Sequence, residues 1–259
     1  MKIGLGVTTY NRPEYLKQCL EGIKNVKDEV DTIWVYNDAS VKKYDVDFPD
    51  YVQYYKAKKN KGVATAKNWL LKQMIKEGCD YLFLIEDDII IKSPKAITEY
   101  VRLSKLSGIE HFMFAHHGPV GKDKFAGTVD GVDLFSGCVG AYCLYTRNAI
   151  EQAGYFDENL VNSWEHIEHT KRIADLGLTT PWGVFPDVHN SKKWLREISG
   201  SIDNSSIKIR SDWMANTING LIYWRNKDKS FPLQHILDSL LKEEDEEYKR
   251  LGIKSSRYL

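Results

Sequence analysis

Residues 82–91 read LFLIEDDIII: four apolar residues run into Glu86, Asp87 and Asp88, and three isoleucines follow. A segment this apolar belongs in a core, where carboxylates are rare unless paired or bound to a cation. It predicts a buried strand whose end delivers three negative charges to one place, either to cap a helix or to face a cation. Strand alternation puts Glu86 and Asp88 on one side and Asp87 on the other.

The flanking segments set the architecture. IGLGVTT (3–9) is a short apolar run closed by turn residues. RPEYLKQCLEGIKNV (12–26) carries Leu16, Leu20 and Ile23 at helical spacing, with Pro13 suited to a first turn. A strand over 32–36, a third in VQYYKAKKN (52–60) and a helix over 61–78, closed by Gly78, complete an α/β pattern over a mostly parallel sheet. Beyond residue 95, helices are predicted at 94–108, 147–154 and 164–177, and strands in HFMFAHH (111–117) and LFSGCVGAYCLYTR (134–147). The polar, glycine-containing stretch 117–131 reads as a loop suited to a lid. From Pro232 onward, Leu233, Ile236, Leu237, Leu240 and Leu241 mark an amphipathic helix with an acidic end, either covering the core or forming a homodimer contact.

Lys plus Arg equals Asp plus Glu at 36 each, so no global field favours nucleic acid or an anionic membrane. No apolar run reaches the roughly 18–20 residues of a membrane span, and the N-terminus reads at once as a strand rather than a secretory leader. Cys19, Cys79, Cys138 and Cys143 fit neither a disulfide framework nor a C-x-x-C zinc site, so the expectation is reduced thiols in a cytoplasmic protein.

Ligands of open parallel sheets bind beyond the carboxyl ends of the strands. Polar clusters fall at such ends here: TTYNR (8–12), YNDAS (36–40) and EDD (86–88), with loops near 116 and 189. Any one of these is also explained as a helix cap or turn, Asp38, Ser40 and Asn11 in particular. Their order carries more. VTTYNRPEYLKQCLEGI, VYNDAS, NKGVATAKNWLL and YLFLIEDDI, followed by SGCVGAYCLYTRNAIEQAGYFDENL and WEHIEHTKRIADLGL, resemble family 2 glycosyltransferases of the GT-A fold over about residues 3–190.

That resemblance implies a GT-A-like α/β domain over 1–231, with a nucleotide-sugar-binding half (1–95) and an acceptor-side half (96–231), followed by an amphipathic helical tail (232–259). It implies transfer of a sugar from a nucleoside diphosphate to a hydroxyl of a saccharide or glycoconjugate, in the cytoplasm or at the edge of a membrane where the acceptor is assembled. Thr8, Tyr10, Arg12, Asp38 and Lys67 fall where the family holds the nucleotide, Lys67 standing where Arg is often found. UDP is favoured because Asp38 suits the uracil ring N–H. Asp88 is the implied metal ligand, with Glu86 or Asp87 reaching the ribose or a metal-bound water. His189, in FPDVHNSKK, is a candidate third ligand, and an imidazole favours Mn²⁺ over Mg²⁺. Where the family carries an Glu–Asp pair with the general base, this chain has Glu165–His166, so either residue is the candidate, with inversion expected. Trp164, Trp182 and Trp194 suit an acceptor-sugar wall or a core.

Three other classes compete. A metal-dependent hydrolase would draw on His116, His117, His166, His169 and His189, yet EHIEH has neither the H-E-x-x-H nor the H-x-x-E-H register. A non-catalytic sugar-binding module requires the acids to be caps and the tryptophans to be the whole site. A nucleotidyltransferase would open with a denser glycine loop than IGLGVTTYNR.

Overall fold

The computed structural model describes residues 1–228, apart from 119, 138, 202, 203 and 208–210; the tail helix expected from Pro232 lies outside the described residues. The chain begins as read: β1 (Ile3–Thr9), α1 (Pro13–Ile23), β2 (Thr32–Asn37), β3 (Val52–Lys56), α2 (Val63–Lys76) and β4 (Tyr81–Glu86). β1 is buried along its whole length. Its glycines let α2 lie close: a Cβ on Gly4 would meet Met74 Sδ at 2.6 Å, and one on Gly6 would meet Leu70 Cβ at 3.0 Å.

Next come β5 (Ile89–Ile91), α3 (Lys95–Ser107), β6 (His111–Met113), a single helical turn α4 (Val120–Asp123), β7 (Phe125–Val129) and β8 (Val132–Phe135). They are followed by β9 (Tyr142–Thr146), α5 (Arg147–Ala153), α6 (Glu165–Asp175), β10 (Phe185–Val188), β11 (Leu195–Glu197) and α7 (Trp213–Lys227). The main sheet runs β3-β2-β1-β4-β9-β6. β1 pairs in parallel with β2 and β4, and β2 with β3, whereas β9 runs antiparallel between β4 and β6. The chain builds outward from β1 to β3 and returns to β4 on the other side, so the crevice between the ends of β1 and β4 is a topological switch point. A small antiparallel sheet, β10-β8-β7, and the pair β11-β5 stand beyond it.

Three expectations are corrected. LFSGCVGAYCLYTR is two strands in two sheets, β8 ending at Phe135 and β9 beginning at Tyr142. HFMFAHH is a strand only to Met113. The stretch 117–131 is not all loop: it holds α4 and β7, and β7 forms a hairpin with β8. α7 was not anticipated; it packs Ile218, Leu221 and Trp224 against Leu160 and Trp164. Among the described residues, no helix is long and apolar enough to cross a membrane.

Candidate active site

The loops leaving β1 and β2 are knitted together. Asn11, in the left-handed region at φ 55°, donates its N–H to Ser40 Oγ at 2.8 Å and accepts the Val41 N–H through Oδ1 at 2.8 Å. Tyr44 OH sits 2.8 Å from Thr9 Oγ1 and accepts the Arg12 N–H at 3.1 Å. This fixes the backbone from which Arg12 reaches across to the end of β4.

There the strand stops at Glu86, and Asp87 and Asp88 form the turn into β5. The alternation expected from a continuing strand therefore fails: Asp87 and Asp88 act together and Glu86 apart. Arg12 Nη2 pairs with Asp87 Oδ1, and Nη1 with Asp88 Oδ2 at 3.0 Å. Thr9 Oγ1 adds a hydrogen bond to Asp87 Oδ2 at 2.6 Å. Burial opposes the charge on Arg12, but Asp87, Asp88 and Glu86 overcome it and hold the guanidinium protonated. Burial pushes the Asp87 carboxyl upward against the pull of Arg12, whereas Asp88 is held down, against burial, by His117 and Arg12.

A half-open pocket lies at this rim. Of the sequence candidates, Thr8, Tyr10, Arg12, Asp38, Glu86 and Asp87 line it, joined by Thr9, Asn60, Asn162 and Ser206 among others. Asp38 does two jobs: its carboxylate accepts the N–H groups of Lys61 (3.0 Å) and Gly62 (2.8 Å) at the start of α2 while facing the cavity. Burial raises its pKa and those N–H groups oppose the rise.

Lys67 is not on the cavity wall. Its ammonium is buried, 3.3 Å from Glu86 Oε1, 3.1 Å from Glu165 Oε1 and 3.3 Å from the Gly140 carbonyl. Burial works against this charge, but Glu165 and Glu86 raise its pKa; Glu165 is pulled well below the usual carboxylate range, against burial, chiefly by Lys67. His166 Nδ1 lies 3.4 Å from the same Glu165 oxygen.

His189 does not join Asp88. It is half-exposed and its Nδ1 sits 2.9 Å from Asp133 Oδ1. The imidazole beside Asp88 is His117, whose Nε2 is 3.7 Å from Asp88 Oδ1 and 3.8 Å from Glu197 Oε1. The sequence reading set the loop near 116 at this rim and drew on His117 only for the hydrolase alternative, and it gave Glu197 no place; the doublet HH at 116–117 was the available signal. Trp164 and Trp182 serve packing: Trp164 donates its indole N–H to the Thr217 carbonyl at 2.8 Å, and Trp182 meets Phe185 and Trp224 edge-on. Trp194 packs at the edge of the main core.

The residues at Asp88 fit a divalent cation. Asp88 Oδ1 and His117 Nε2 are both buried, and neither has a hydrogen-bond partner. One carboxylate oxygen and one imidazole nitrogen are donors that a first-row divalent cation accepts. Among the described residues no group of three or more His, Cys, Asp or Glu is arranged to hold a metal, so water and phosphate oxygens would complete its shell.

Residues 5–103 match the sequence model of Glycosyl transferase family 2. The chain is 25% identical over 247 residues to the uncharacterized glycosyltransferase R363 of Acanthamoeba polyphaga mimivirus, covering 89% of this chain and 94% of that protein. The mannosyltransferase PcManGT of Pyrobaculum calidifontis, solved with GDP-Man and Mn²⁺, superposes with a TM-score of 0.60 at 14% identity, covering 92% of this chain and 68% of that one. S. aureus TarS 1–349 superposes with a TM-score of 0.54 at 15% identity over 87% of this chain, which spans 66% of that structure's length. Its complex with UDP-GlcNAc gives 0.55 at 15% identity, covering 93% and 72%.

Proposed function

We propose that this chain, a glycosyltransferase belonging to glycosyl transferase family 2 with a GT-A-like fold, moves one sugar from a nucleoside diphosphate, UDP favoured, to a hydroxyl of a saccharide or glycoconjugate acceptor, with inversion. The observation that carries this reading is the meeting of Arg12, Asp38, Glu86 and Asp87 on one cavity at the switch point, with Asp88 and His117 behind them.

The chain's own residues divide the work. Tyr10 and Asp38 face the base and Thr8 the sugar of the nucleoside, and Arg12 presents a fixed positive charge to the diphosphate. Asp88 and His117 would hold Mn²⁺, favoured over Mg²⁺ by the imidazole. When bound, the metal supplies Lewis-acid stabilisation of the departing diphosphate. The Glu165–His166 pair removes the proton of the attacking hydroxyl. A second reading rests on Arg12, which already sits on both acids: there the guanidinium alone supplies the positive charge, without metal.

The deciding experiment is slow hydrolysis of a panel of UDP-, GDP- and TDP-sugars by the full chain, with Mn²⁺ or EDTA, beside Asp88→Ala. Cleavage of one donor that needs Mn²⁺ and disappears in the variant supports the first reading, and cleavage that persists in EDTA supports the second. No cleavage together with no nucleotide binding by calorimetry would sink both.

A further inference from the structure

We infer that within the Glu165–His166 pair the base is His166, acting through Nε2, and that Glu165 and Lys67 are positioning residues that aim it. This rests on the transferase reading above and assigns roles inside its active site.

The Glu165 carboxylate oxygen Oε1 is shared between two nitrogens, Lys67 Nζ at 3.1 Å and His166 Nδ1 at 3.4 Å. The side chains of Glu165 and Lys67 are 5% and 3% exposed, that of His166 23%. Only His166 has an outward face to offer an acceptor. A carboxylate facing a buried ammonium is poorly placed to take up a proton, because protonation would leave that ammonium with only the more exposed Glu86 as counter-charge. Its effective role is to accept a hydrogen bond from Nδ1–H. That fixes the imidazole tautomer and leaves the lone pair on Nε2 free, the logic by which a buried carboxylate orients a histidine base.

Gly140 packs closely on the ring: a Cβ there would come within 2.7 Å of His166 Cγ. The Gly140 carbonyl in turn accepts from Lys67. His111 of β6 also lies within electrostatic reach of His166, and it stays neutral: burial, opposed by its bond to the Leu144 carbonyl, lowers its pKa to about 4. Lys67 also touches Glu86 on the donor cavity. One ammonium thus stands between the donor wall and the base.

In the step itself, His166 Nε2 takes the proton of the acceptor hydroxyl as that oxygen bonds to the anomeric carbon. The bond from that carbon to the diphosphate breaks, and its electron pair leaves with the diphosphate. The proton on His166 passes to solvent after product departs.

Two measurements test this on the full chain. The first is the ¹⁵N tautomer state of His166 by NMR, which needs no substrate. The wild type shows Nδ1–H; Glu165→Gln and Lys67→Met lose that preference; Lys67→Arg, which keeps the charge, retains it. An Nε2–H tautomer in the wild type overturns the inference. The second is the pH profile of hydrolysis of the donor that the panel identifies. His166→Gln lowers turnover by about 10²–10⁴-fold and removes the acid limb, with the Kd for UDP unchanged. An acid limb that survives in His166→Gln overturns the assignment. A chain that neither binds nor cleaves any nucleotide sugar refutes the transferase reading instead, and the tautomer result stands apart from it.

Discussion

Arg12→Met tests the charge balance of the cleft most directly. The Arg12 side chain is 12% exposed, and its partners Asp87 and Asp88 are 0% and 5% exposed. Methionine keeps most of the length and removes the charge. Asp87 is then left with the Thr9 hydroxyl, and Asp88 Oδ2 loses the guanidinium. Breaking a buried ion pair from one side costs about 3–5 kcal/mol, because the remaining charge has no counterpart. At roughly 2–4 °C per kcal/mol for a chain of this size, Tm in EDTA falls by about 10 °C.

Mn²⁺ should reverse much of that loss. With the competing guanidinium gone, both oxygens of Asp88 are open to the ion. Metal at about a hundredfold excess over its Kd adds about 2.7 kcal/mol to the folded state. The assay is urea unfolding of wild type and variant, each in EDTA and in Mn²⁺. A variant as stable as wild type in EDTA would show that the acids do not depend on Arg12. A variant stabilised by Mn²⁺ no more than wild type would show that arginine and metal do not share Asp88.

Three further outcomes are expected. Mn²⁺ affinity, read by electron paramagnetic resonance, weakens in His117→Ala and stays at the wild-type value in His189→Ala; the reverse order would return the metal role to His189. Gly140→Ala pushes the His166 ring aside and lowers turnover by roughly a hundredfold, the scale of a misplacement of about 1 Å, while UDP binding by calorimetry is kept; unchanged turnover would detach His166 from the chemistry. Burial lowers the His111 pKa to about 4 from 6.5, so the unfolded chain takes up more protons between those values, and the stability present above 6.5 is lost as pH falls toward 4. At pH 5 that loss is about 2 kcal/mol. His111→Gln should flatten this part of the denaturation profile, and an equally steep profile would discount His111.

The nucleotide-side framework was readable because its signals are local. A continuous apolar run gives β1 and β4, and helical spacing gives α1 and α2. The partners in the cleft were not local. Arg12 meets Asp88 across 76 residues, and no spacing rule announces that. His117 and His189 look alike in sequence, each a loop histidine. What separates them is tertiary: β5 pairs with β11, and Ile198 N–H reaches the Asp88 carbonyl at 2.8 Å, drawing Glu197 to the His117 side. Lys67 did leave a trace. It shares a helical face with Ala64, Leu71 and Met74, all buried, and a lysine on an apolar stripe needs an anionic partner. That trace pointed inward, to Glu86 and Glu165, rather than to a ligand in the cavity. Trp164 and Trp182 were ambiguous because α7, against which both are placed, left no clear pattern of its own.

The three consecutive acids are tolerated because they are divided between two internal cations. Arg12, at the start of α1, takes Asp87 and Asp88; Lys67, in the first turns of α2, takes Glu86 together with Glu165. These four carboxylates outnumber the two cations, and Asp38 adds a further acid on the wall of the cavity proposed to receive a diphosphate. A divalent cation held at Asp88, as proposed, would offset part of that negative charge when the diphosphate binds. The same division keeps the two halves of the chemistry apart. In the proposed reaction, positive charge for the leaving group would come from Arg12 and a cation held at Asp88, while the proposed proton acceptor His166 lies beyond Lys67, whose ammonium keeps Glu165 anionic.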